Sequence, residues 1–444
     1  MADTLESIYL NTALGSTELD DGEHTILTTN STTRYVIKDM YVNNTSGLTN
    51  THLELNGFNV GSISSNATGS LIIPPSSTLK IKTTDYPFTF LRERLTFRDT
   101  DDKLVYKETF TNPIMGIAGT PTTFVSVAGA DRTNQVTRMY YKVISGTSYM
   151  HYTTSDNNSV QHLRWATASS FGENRNDNYR PFAVYEHPTL NYIGMYLEGS
   201  YLYYLDLNAN PTGTSFTNPS NWGGNQSNGN YNPVGSSYPR GFQQFGYFWY
   251  IRNNNYNSIY AINLQNGSSH EFPVGGYYQN NKNYFTVTHR PSDDKFLFWK
   301  QSTGSEIQVA ISNDTKTTID AVNTSSSPNT VGTTGADGTG TYNSITLVNN
   351  FRNADMSSNV AGFDENGNLI YQDLNNKFVT LGIDNTVISQ ATTNTYDING
   401  TNHTPYDGSF HRLEKSTITN SEATAAGLSG ASFGIQLLGV KSED

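Results

Sequence analysis

Residues 183–196, Ala-Val-Tyr-Glu-His-Pro-Thr-Leu-Asn-Tyr-Ile-Gly-Met-Tyr, align with residues 287–299, Val-Thr-His-Arg-Pro-Ser-Asp-Asp-Lys-Phe-Leu-Phe-Trp. In both stretches an apolar segment ends near a His and a Pro, and a second aromatic segment begins a few residues later. A further apolar segment follows each of them, at residues 202–207 and 306–311. Apolar runs of this length, bounded by turn residues, predict β-strands. The chain therefore contains a repeated strand–turn–strand unit.

The same kind of strand recurs along most of the chain. One residue of each unit serves as a marker: Tyr152, Leu205, Ile262, Val309 and Tyr371, with steps of 53, 57, 47 and 62 residues. A strand-built period near 50 is typical of β-propeller blades, which gain stability by stacking on their neighbours. We therefore expect about five blades. The irregular steps leave four to seven open, and a long two-sheet β structure also fits.

The first 112 residues lack this repeat and predict a small antiparallel β-sandwich. Their expected strands are 25–28, 34–42, 52–55, 70–73 and 78–82. Turn signals rich in Asn, Gly and Pro separate these strands. We expect an all-β chain in three parts: a β-sandwich at 1–112, a β-propeller-like domain at 113–412, and a C-terminal strand segment at 413–444 that packs on an earlier sheet.

The amino-terminal region resembles a β-sandwich module of tailed-bacteriophage virion proteins. The resemblance is carried by His24–Leu27, Arg34–Ser46, Leu53–Gly57 and Leu71–Leu79, in which an Asn-Thr-Ser turn precedes a proline-led strand. It covers roughly the first 90 residues and contains no catalytic motif. The resemblance implies a virion structural protein in which the sandwich attaches to the particle and the repeats are displayed.

Helices and long loops are also expected at a few places. Short helices are predicted at Asp3–Leu14 and at Ser421–Leu428. Exposed loops are predicted at Asn208–Arg240 and Asn313–Tyr342, because these segments are polar and rich in Gly, Asn and Ser.

Composition restricts the class of function. Only 15% of the residues are charged, the net charge is −12 and there is no cysteine. A surface for nucleic acid needs clustered Lys and Arg, and the densest group, at 92–98, is mixed in sign and predicts strand-edge ion pairs. We expect no nucleic-acid partner, no disulfide, no signal peptide and no membrane span. Synthesis in a bacterial cytoplasm followed by incorporation into a virion agrees with all four expectations.

No catalytic, metal or cofactor motif stands out, so we expect no metal and no cofactor. His403, Asp407 and His411 have a suggestive spacing, but Pro and Gly nearby favour a turn-rich loop over a metal site. His187 and His289 occupy equivalent repeat positions, which predicts a structural role such as an inter-blade hydrogen bond. Asp364 begins an Asp-Glu-Asn-Gly-Asn run that predicts a hairpin turn rather than a calcium loop.

Two aromatic residues are the best candidates for a contact site. Trp222 and Tyr231 lie in the polar segment at 208–240, where a sugar ring or a partner protein would explain them. A loop Trp that packs back onto a blade is the simpler explanation. A pair of carboxylates on distant loops, as in a glycosidase, would leave no local signal.

We therefore expect a non-catalytic virion protein, on the tail, neck or capsid, that acts in particle assembly or host-surface contact. Its expected partners are other virion proteins and a host surface glycan, and several copies or a homo-oligomer are expected on each particle. The alternatives are a polysaccharide-degrading tail enzyme and a lectin-like binding module.

Overall fold

The structure is a computed structural model. It describes residues 4–12, 22–44, 51–62, 71–83, 90–112, 117–118, 121–127, 135–155, 161–177, 183–184, 192–198, 201–206, 211–217, 241–251, 258–275, 285–303, 306–323, 327–335, 343–347, 361–375, 377–406, 411–418 and 433–443. Within these ranges no helix has the length and apolar character needed to cross a membrane.

The described residues form 37 β-strands and one short α-helix, α1 (Lys316–Asp320). The strands are β1 (Thr4–Thr12), β2 (Gly22–Thr28), β3 (Thr33–Asn44), β4 (Thr51–Leu55), β5 (Phe58–Ser62), β6 (Leu71–Ile73), β7 (Thr78–Thr83), β8 (Phe90–Arg98), β9 (Leu104–Asn112), β10 (Ile117–Ala118), β11 (Thr122–Val125), β12 (Gln135–Ile144), β13 (Thr147–Ser155), β14 (Gln161–Ala166), β15 (Phe171–Asp177), β16 (Ala183–Val184), β17 (Tyr192–Glu198), β18 (Tyr201–Asp206), β19 (Pro211–Thr217), β20 (Gly241–Gln244), β21 (Tyr247–Ile251), β22 (Ser258–Asn263), β23 (Ser269–Pro273), β24 (Phe285–Arg290), β25 (Lys295–Thr303), β26 (Glu306–Ser312), β27 (Asn329–Thr330), β28 (Thr333–Gly335), β29 (Asn343–Thr346), β30 (Ala361–Phe363), β31 (Leu369–Gln372), β32 (Phe378–Leu381), β33 (Val387–Gln390), β34 (Tyr396–Ile398), β35 (Thr401–His403), β36 (His411–Ile418) and β37 (Phe433–Glu443).

The chain divides into two compact units that are not contiguous in sequence. Unit 1 contains residues 1–92, 109–121 and 417–444, and unit 2 contains residues 93–108 and 122–416. Three of the four boundaries fall within β8, β9 and β36, and the fourth lies just before β11. This division differs from the three consecutive parts expected from the sequence, because strands from both ends of the chain pair with each other.

Unit 1 contains two four-stranded antiparallel sheets. Their strand orders are β1-β37-β3-β6 and β2-β7-β4-β5. With β37 counted as the eighth strand, these orders are those of a jelly roll, in which two Greek keys form a sandwich. Among the described residues, the apolar side chains buried in this unit are those of Ile37, Leu53, Ile73, Leu79, Phe90, Phe110 and Ile418. The expected sandwich is confirmed, and its last strand comes from the far end of the sequence.

A two-residue turn sets the register of the β4–β5 hairpin in unit 1. Asn56 and Gly57 have φ values of 50° and 88°, the left-handed conformation that a tight hairpin requires. The Asn56 side chain also accepts a hydrogen bond from the backbone N–H of Thr78 at 2.9 Å. The turn is thereby fastened to β7, the neighbouring strand.

Unit 2 contains five meanders of four antiparallel strands each, which we number sheets 1–5. They are β12–β15, β16–β19, β20–β23, β24–β26 with β28, and β30–β33. Each of the five sequence markers lies in a different sheet. Sheets 3 and 4 each carry one further strand, β27 and β29 respectively. The propeller-like repeat predicted from the sequence is confirmed.

A further sheet is built from distant segments, and we call it the composite sheet. Its strands are ordered β36-β8-β9, and both β10 and β11 pair with β9. It joins sheet 5 through one parallel bridge, between Phe363 and Glu414. Since β8, β9 and β11 precede the repeats and β36 follows them, no sequence period reveals this sheet. The expectation of about five blades from the sequence did not include the composite sheet.

The sheets of unit 2 pack against one another in sequence and return to the first. Strand β16 contacts β12 and β13 on one side and β20 on the other. Buried aromatic and aliphatic side chains form the cores between sheets 3 and 4, between sheets 4 and 5, and between sheet 5 and the composite sheet. The composite sheet also packs on sheet 1, where the rings of Tyr106 and Tyr141 stack at 4.4 Å. The composite sheet, whose strands precede and follow the repeats, therefore completes a ring of sheets between sheet 5 and sheet 1.

Several local predictions were wrong. Residues 4–12 form a strand instead of a helix, since β37, the strand beside them in the sheet, pairs with their backbone groups. The segment 208–240 contains β19, the fourth strand of sheet 2, and the segment 313–342 contains α1, β27 and β28. Strand β8 lies between β9 and β36, so its charged residues are not at a sheet edge. Residues 421–428 lie outside the described ranges.

Candidate functional site: the axial cluster of unit 2

The inner strands of unit 2 meet near one another. Strand β16 contacts β20, and β24 contacts β30. Gly362 of β30 lies so close to β36 that a Cβ atom on it would overlap the carbonyl oxygen of Leu413. The first strands of successive sheets therefore approach each other, as the inner strands of a propeller do around its axis. Buried polar side chains on these strands bond across the sheets.

The side chain of Gln244, on β20 of sheet 3, bonds to sheet 4 and to the composite sheet. Its Nε2 donates to the carbonyl oxygen of Val287 on β24, at 2.7 Å. Its Oε1 accepts from Nη2 of Arg412 on β36, at 2.8 Å. Its backbone carbonyl accepts from the indole Nε1 of Trp249, at 2.9 Å. Only 5% of Gln244 is exposed, so these bonds satisfy groups that water does not reach.

Arg412 is the charged centre of this site. Its guanidinium pairs with Glu414 and lies 6.0 Å from the centroid of the Phe363 ring. Burial, and then the nearby charge of Arg94, lower the pKa of Arg412 to about 9, so the group is still a cation at neutral pH. Because β20 belongs to sheet 3 and β36 to the composite sheet, the bond from Arg412 to Gln244 crosses between sheets that are not neighbours.

Additional ion pairs connect β8 with β9 and β36. Arg94 Nε donates to Glu108 Oε1 at 2.8 Å, and Lys415 Nζ lies 3.2 Å from Glu93 Oε2. We call Arg94, Glu108, Gln244, Arg412 and Glu414 the axial cluster. Both of its carboxylates bind guanidinium groups. A glycosidase instead needs one carboxylic acid placed to protonate the leaving oxygen and a second carboxylate beside it. The arrangement fits a junction that holds sheets together better than it fits a hydrolytic pair.

A second junction, between sheets 4 and 5, has the same design. The Trp299 indole Nε1 donates to Thr288 Oγ1 at 2.8 Å, and that hydroxyl donates to the carbonyl oxygen of Gly367 at 2.6 Å. A Cβ atom on Gly367 would meet the carbonyl oxygen of His289 at 2.5 Å. In both junctions a tryptophan indole donates a hydrogen bond to a residue of the inner strand, Gln244 or Thr288. The side chain of that residue then bonds to the next sheet.

His289 has a structural role, although it is not an inter-blade hydrogen bond. Its Nε2 bonds to Asp294 Oδ1 at 2.8 Å, within the same hairpin. The ring of Phe245, from the preceding sheet, lies 5.8 Å away. The inter-blade contact of His289 is therefore aromatic packing. His187, the equivalent position in sheet 2, lies outside the described residues.

His403 binds the carboxylate of Asp99 in the structure. Its Nδ1 donates to Asp99 Oδ2 at 2.6 Å, and both side chains are buried. Asp407 lies outside the described residues. In the part of the chain that the structure describes, no group of three or more His, Asp or Glu side chains is placed to hold a metal ion. Trp222 and Tyr231 also lie outside the described residues.

Buried aspartates close three of the hairpins. Asp364 Oδ1 accepts from the backbone N–H groups of Asn366 and Asn368, so the predicted hairpin turn is confirmed. Asp99 and Asp373 make the same bonds to the residues two and four positions later. Sequence reasoning missed these two positions. An Asp at a strand end, four residues before an Asn or Lys that immediately precedes the next strand, is the signal that finds them.

Comparisons with known proteins add little to this site. No protein-family model matches the sequence, and no curated protein matches it. Among solved structures, the chain is similar to Hsv2 of Kluyveromyces marxianus, with 11% identity and a TM-score of 0.28 over 65% of this chain and 75% of that one. It is also similar to KlHsv2 with loop 6CD replaced by a Gly-Ser linker, with 8% identity and a TM-score of 0.28 over 73% and 98% of the two chains. TM-scores this low carry no information about function.

Proposed function

We propose that this chain is a non-catalytic structural protein of a tailed-bacteriophage virion, acting in particle assembly and host-surface contact. The observation that supports the proposal best is the jelly-roll order of the two sheets in unit 1. Jelly rolls are common in viral capsid proteins and in lectins. The stretch that resembles the phage module, residues 24–79, supplies strands β2 to β7 of this sandwich.

The junctions of unit 2 also support a structural role. Gln244 and Thr288 each connect the inner strand of one sheet to the next sheet, and both are buried. Hydrogen bonds between buried polar side chains and the backbone of a neighbouring sheet rigidify a fold. A rigid propeller suits a protein that offers binding surfaces without turnover. Its partners are then other virion proteins and a host glycan, and the particle carries several copies.

Location in the particle tests this proposal. Particles of the phage that encodes the chain are purified through a density gradient, and their proteins are identified by mass spectrometry. We expect the chain to be present in stoichiometric amounts and immunogold labelling to mark one symmetric position. Recovery of the chain in the soluble lysate alone, with none in the particles, would contradict the proposal.

An assay for depolymerisation separates the proposal from the enzymatic alternative. The purified chain is incubated with host capsular or surface polysaccharide, and new reducing ends are measured. We expect no release above that from a heat-denatured sample. Release by the native chain would show that a carboxylate pair is active and that the non-catalytic assignment is wrong.

Trp222 and Tyr231 are proposed as the anchors of the contact surface. We expect Trp222→Ala to leave the melting temperature unchanged and to weaken adsorption to host cells or incorporation into particles. Tyr231→Ala is the companion variant from the same segment. A large fall in melting temperature with normal adsorption would instead mean that Trp222 packs into the fold.

A further inference from the structure

Four cross-strand partners form a row on one face of sheet 1. Tyr140 of β12 lies opposite His151 of β13. His151 in turn lies opposite Trp165 of β14, which lies opposite Gly172 of β15. Paired residues of neighbouring strands point to the same face of a sheet. The indole of Trp165 lies against Gly172, where an added Cβ atom would be 2.8 Å from Cζ2. Glycine at this position therefore makes room for the indole on the outer strand.

Two aromatic rings of this face stay partly exposed at one end of the sheet. Trp165 is half-buried and precedes the β14–β15 turn, and Tyr149 is half-buried and follows the β12–β13 turn. Their ring centroids lie 6.0 Å apart, with the planes at 70°. We call Tyr149, Trp165 and Gly172 the aromatic platform. Strand β16 of sheet 2 lies against β12 and β13, whereas Trp165 and Gly172 belong to the other two strands of sheet 1. The outer side of the platform is therefore open to a ligand.

Two polar side chains border the platform. His151 is 2% exposed, its ring stacks with that of Tyr149 at 5.7 Å, and its Nδ1 has no hydrogen-bond partner among the described residues. A buried nitrogen without a partner costs stability, so its presence indicates a group that binds there. Burial first, and then the charge of Lys142, lower the pKa of His151 to about 4, so the ammonium lies near the imidazole. In the described part of the chain no carboxylate forms an ion pair with Lys142.

The groups around the platform favour a sugar as its ligand. Small-molecule sites combine aromatic surfaces with a few placed polar groups. A pyranose ring has an apolar face of C–H groups, which packs on an indole, and a rim of hydroxyls. The two turns at this end of the sheet read Ser-Gly-Thr-Ser (145–148) and Thr-Ala-Ser-Ser (167–170), and their hydroxyls can both donate to and accept from those of a sugar. Neither turn contains the aromatic or Arg side chains that anchor a protein partner.

We propose that the aromatic platform is a binding subsite for a carboxylate-bearing sugar of a surface polysaccharide. The pyranose ring packs on Trp165, and its carboxylate binds the ammonium of Lys142. A bridging water connects a sugar hydroxyl to the imidazole of His151, as ordered waters do in many binding sites. The subsite names the class of glycan for the host-surface contact proposed above and rests on that function. It lies on a described sheet, apart from the segment that holds Trp222 and Tyr231.

An array of acidic and neutral bacterial polysaccharides, probed with the purified full chain, tests the subsite. We expect acidic members to be bound, and binding to weaken as salt is added, because salt screens the charge of Lys142. Binding of neutral members alone, or of none, would overturn the proposal. The array does not depend on where the chain is located in a cell or a particle. A chain that binds acidic sugars but is absent from particles would contradict the virion function and leave the subsite intact.

Variants of sheet 1 locate the binding. For the array member bound best, Trp165→Ala should raise the Kd by about tenfold or more, and Lys142→Gln by a smaller factor. Gly172→Ala displaces the indole without removing it, so it reports on the platform even where Trp165→Ala does not fold. Phe171→Ala is the matched control, because Phe171 is 48% exposed beside Gly172 but points to the opposite face.

Melting temperatures identify the variants that are folded. Unchanged affinity in folded Lys142→Gln and Gly172→Ala, or an equal loss of affinity in Phe171→Ala, would overturn the proposal.

Discussion

His403 donates a hydrogen bond from Nδ1 to Oδ2 of Asp99 over 2.6 Å, although 304 positions of sequence separate the two residues. The other oxygen of Asp99 accepts from the backbone N–H groups of Asp101 and Lys103, at 2.9 and 2.7 Å. One buried carboxylate therefore closes the β8–β9 hairpin and fastens β35 to it. It joins a segment that precedes the repeats to one that follows them.

Asp99→Ala is expected to destabilise unit 2. The change leaves the buried N–H of His403 and two partly buried backbone N–H groups without their acceptor, which costs about 2–4 kcal/mol of unfolding free energy. Urea unfolding followed by tryptophan fluorescence measures the loss. Asp384→Ala serves as the control, because Asp384 also accepts a bond from a backbone N–H but is exposed. Similar losses in the two variants would show that burial of the Asp99 carboxylate is unimportant.

Trp299→Phe tests the junction between sheets 4 and 5. The Phe ring fills much of the site but cannot donate to Thr288 Oγ1, and we expect a loss of about 1–3 kcal/mol. Thr288→Val removes the same bond from the other side, together with the bond to Gly367. The double variant should lose less than the sum of the single variants, since the groups interact directly. Additive losses in urea unfolding would contradict the network.

Gly362→Ala is expected to disrupt the closure of the ring. The backbone of Gly362 is not in the left-handed region, so the cost is steric: the new methyl group would overlap the carbonyl of Leu413. Gly146→Ala is the control, since Gly146 has a φ of 79° and open space around it. We expect the control to lose about 1 kcal/mol and Gly362→Ala to lose more than about 2 kcal/mol. The reverse order of melting temperatures would contradict the close packing of β30 on β36.

Acid should destabilise unit 2 through two buried histidines. Burial, and then the charge of Lys142, lower the pKa of His151 to about 4, and burial lowers the pKa of His270 to about 4 although Asp320 opposes it. The unfolded chain, with a pKa near 6.5, binds protons first. The contribution to stability is therefore complete above about pH 6.5 and is lost as the pH falls towards 4, on the order of 2–3 kcal/mol for each histidine.

Unfolding free energies measured between pH 7 and pH 4 check this expectation. The variant with His151→Gln and His270→Gln should show a smaller fall over this range than the wild type, even if it is less stable at pH 7. Because carboxylates also titrate near pH 4, the comparison uses the difference between the two proteins. An identical pH dependence would mean that neither histidine is neutral and buried in the folded state.

Local patterns were sufficient to predict most of the repeat and the sandwich. Each of the markers Tyr152, Leu205, Ile262, Val309 and Tyr371 lies in its own sheet, since alternating apolar residues and polar turns specify a strand within a few residues. The turn at Asp364 was predictable for the same reason. The axial cluster was not, because Gln244 and Arg412 lie in no motif and are 168 positions apart.

The all-β class, the propeller-like period and the strands of the sandwich can be predicted from the sequence, because periodicity and turn residues act over short distances along the chain. Tertiary structure alone decided which distant strands pair. Residues 4–12 become a strand because β37, at the other end of the sequence, supplies hydrogen bonds along their full length. The composite sheet likewise exists because β36 returns to β8. Backbone groups must find partners when they are buried, and only the folded chain brings those partners within reach.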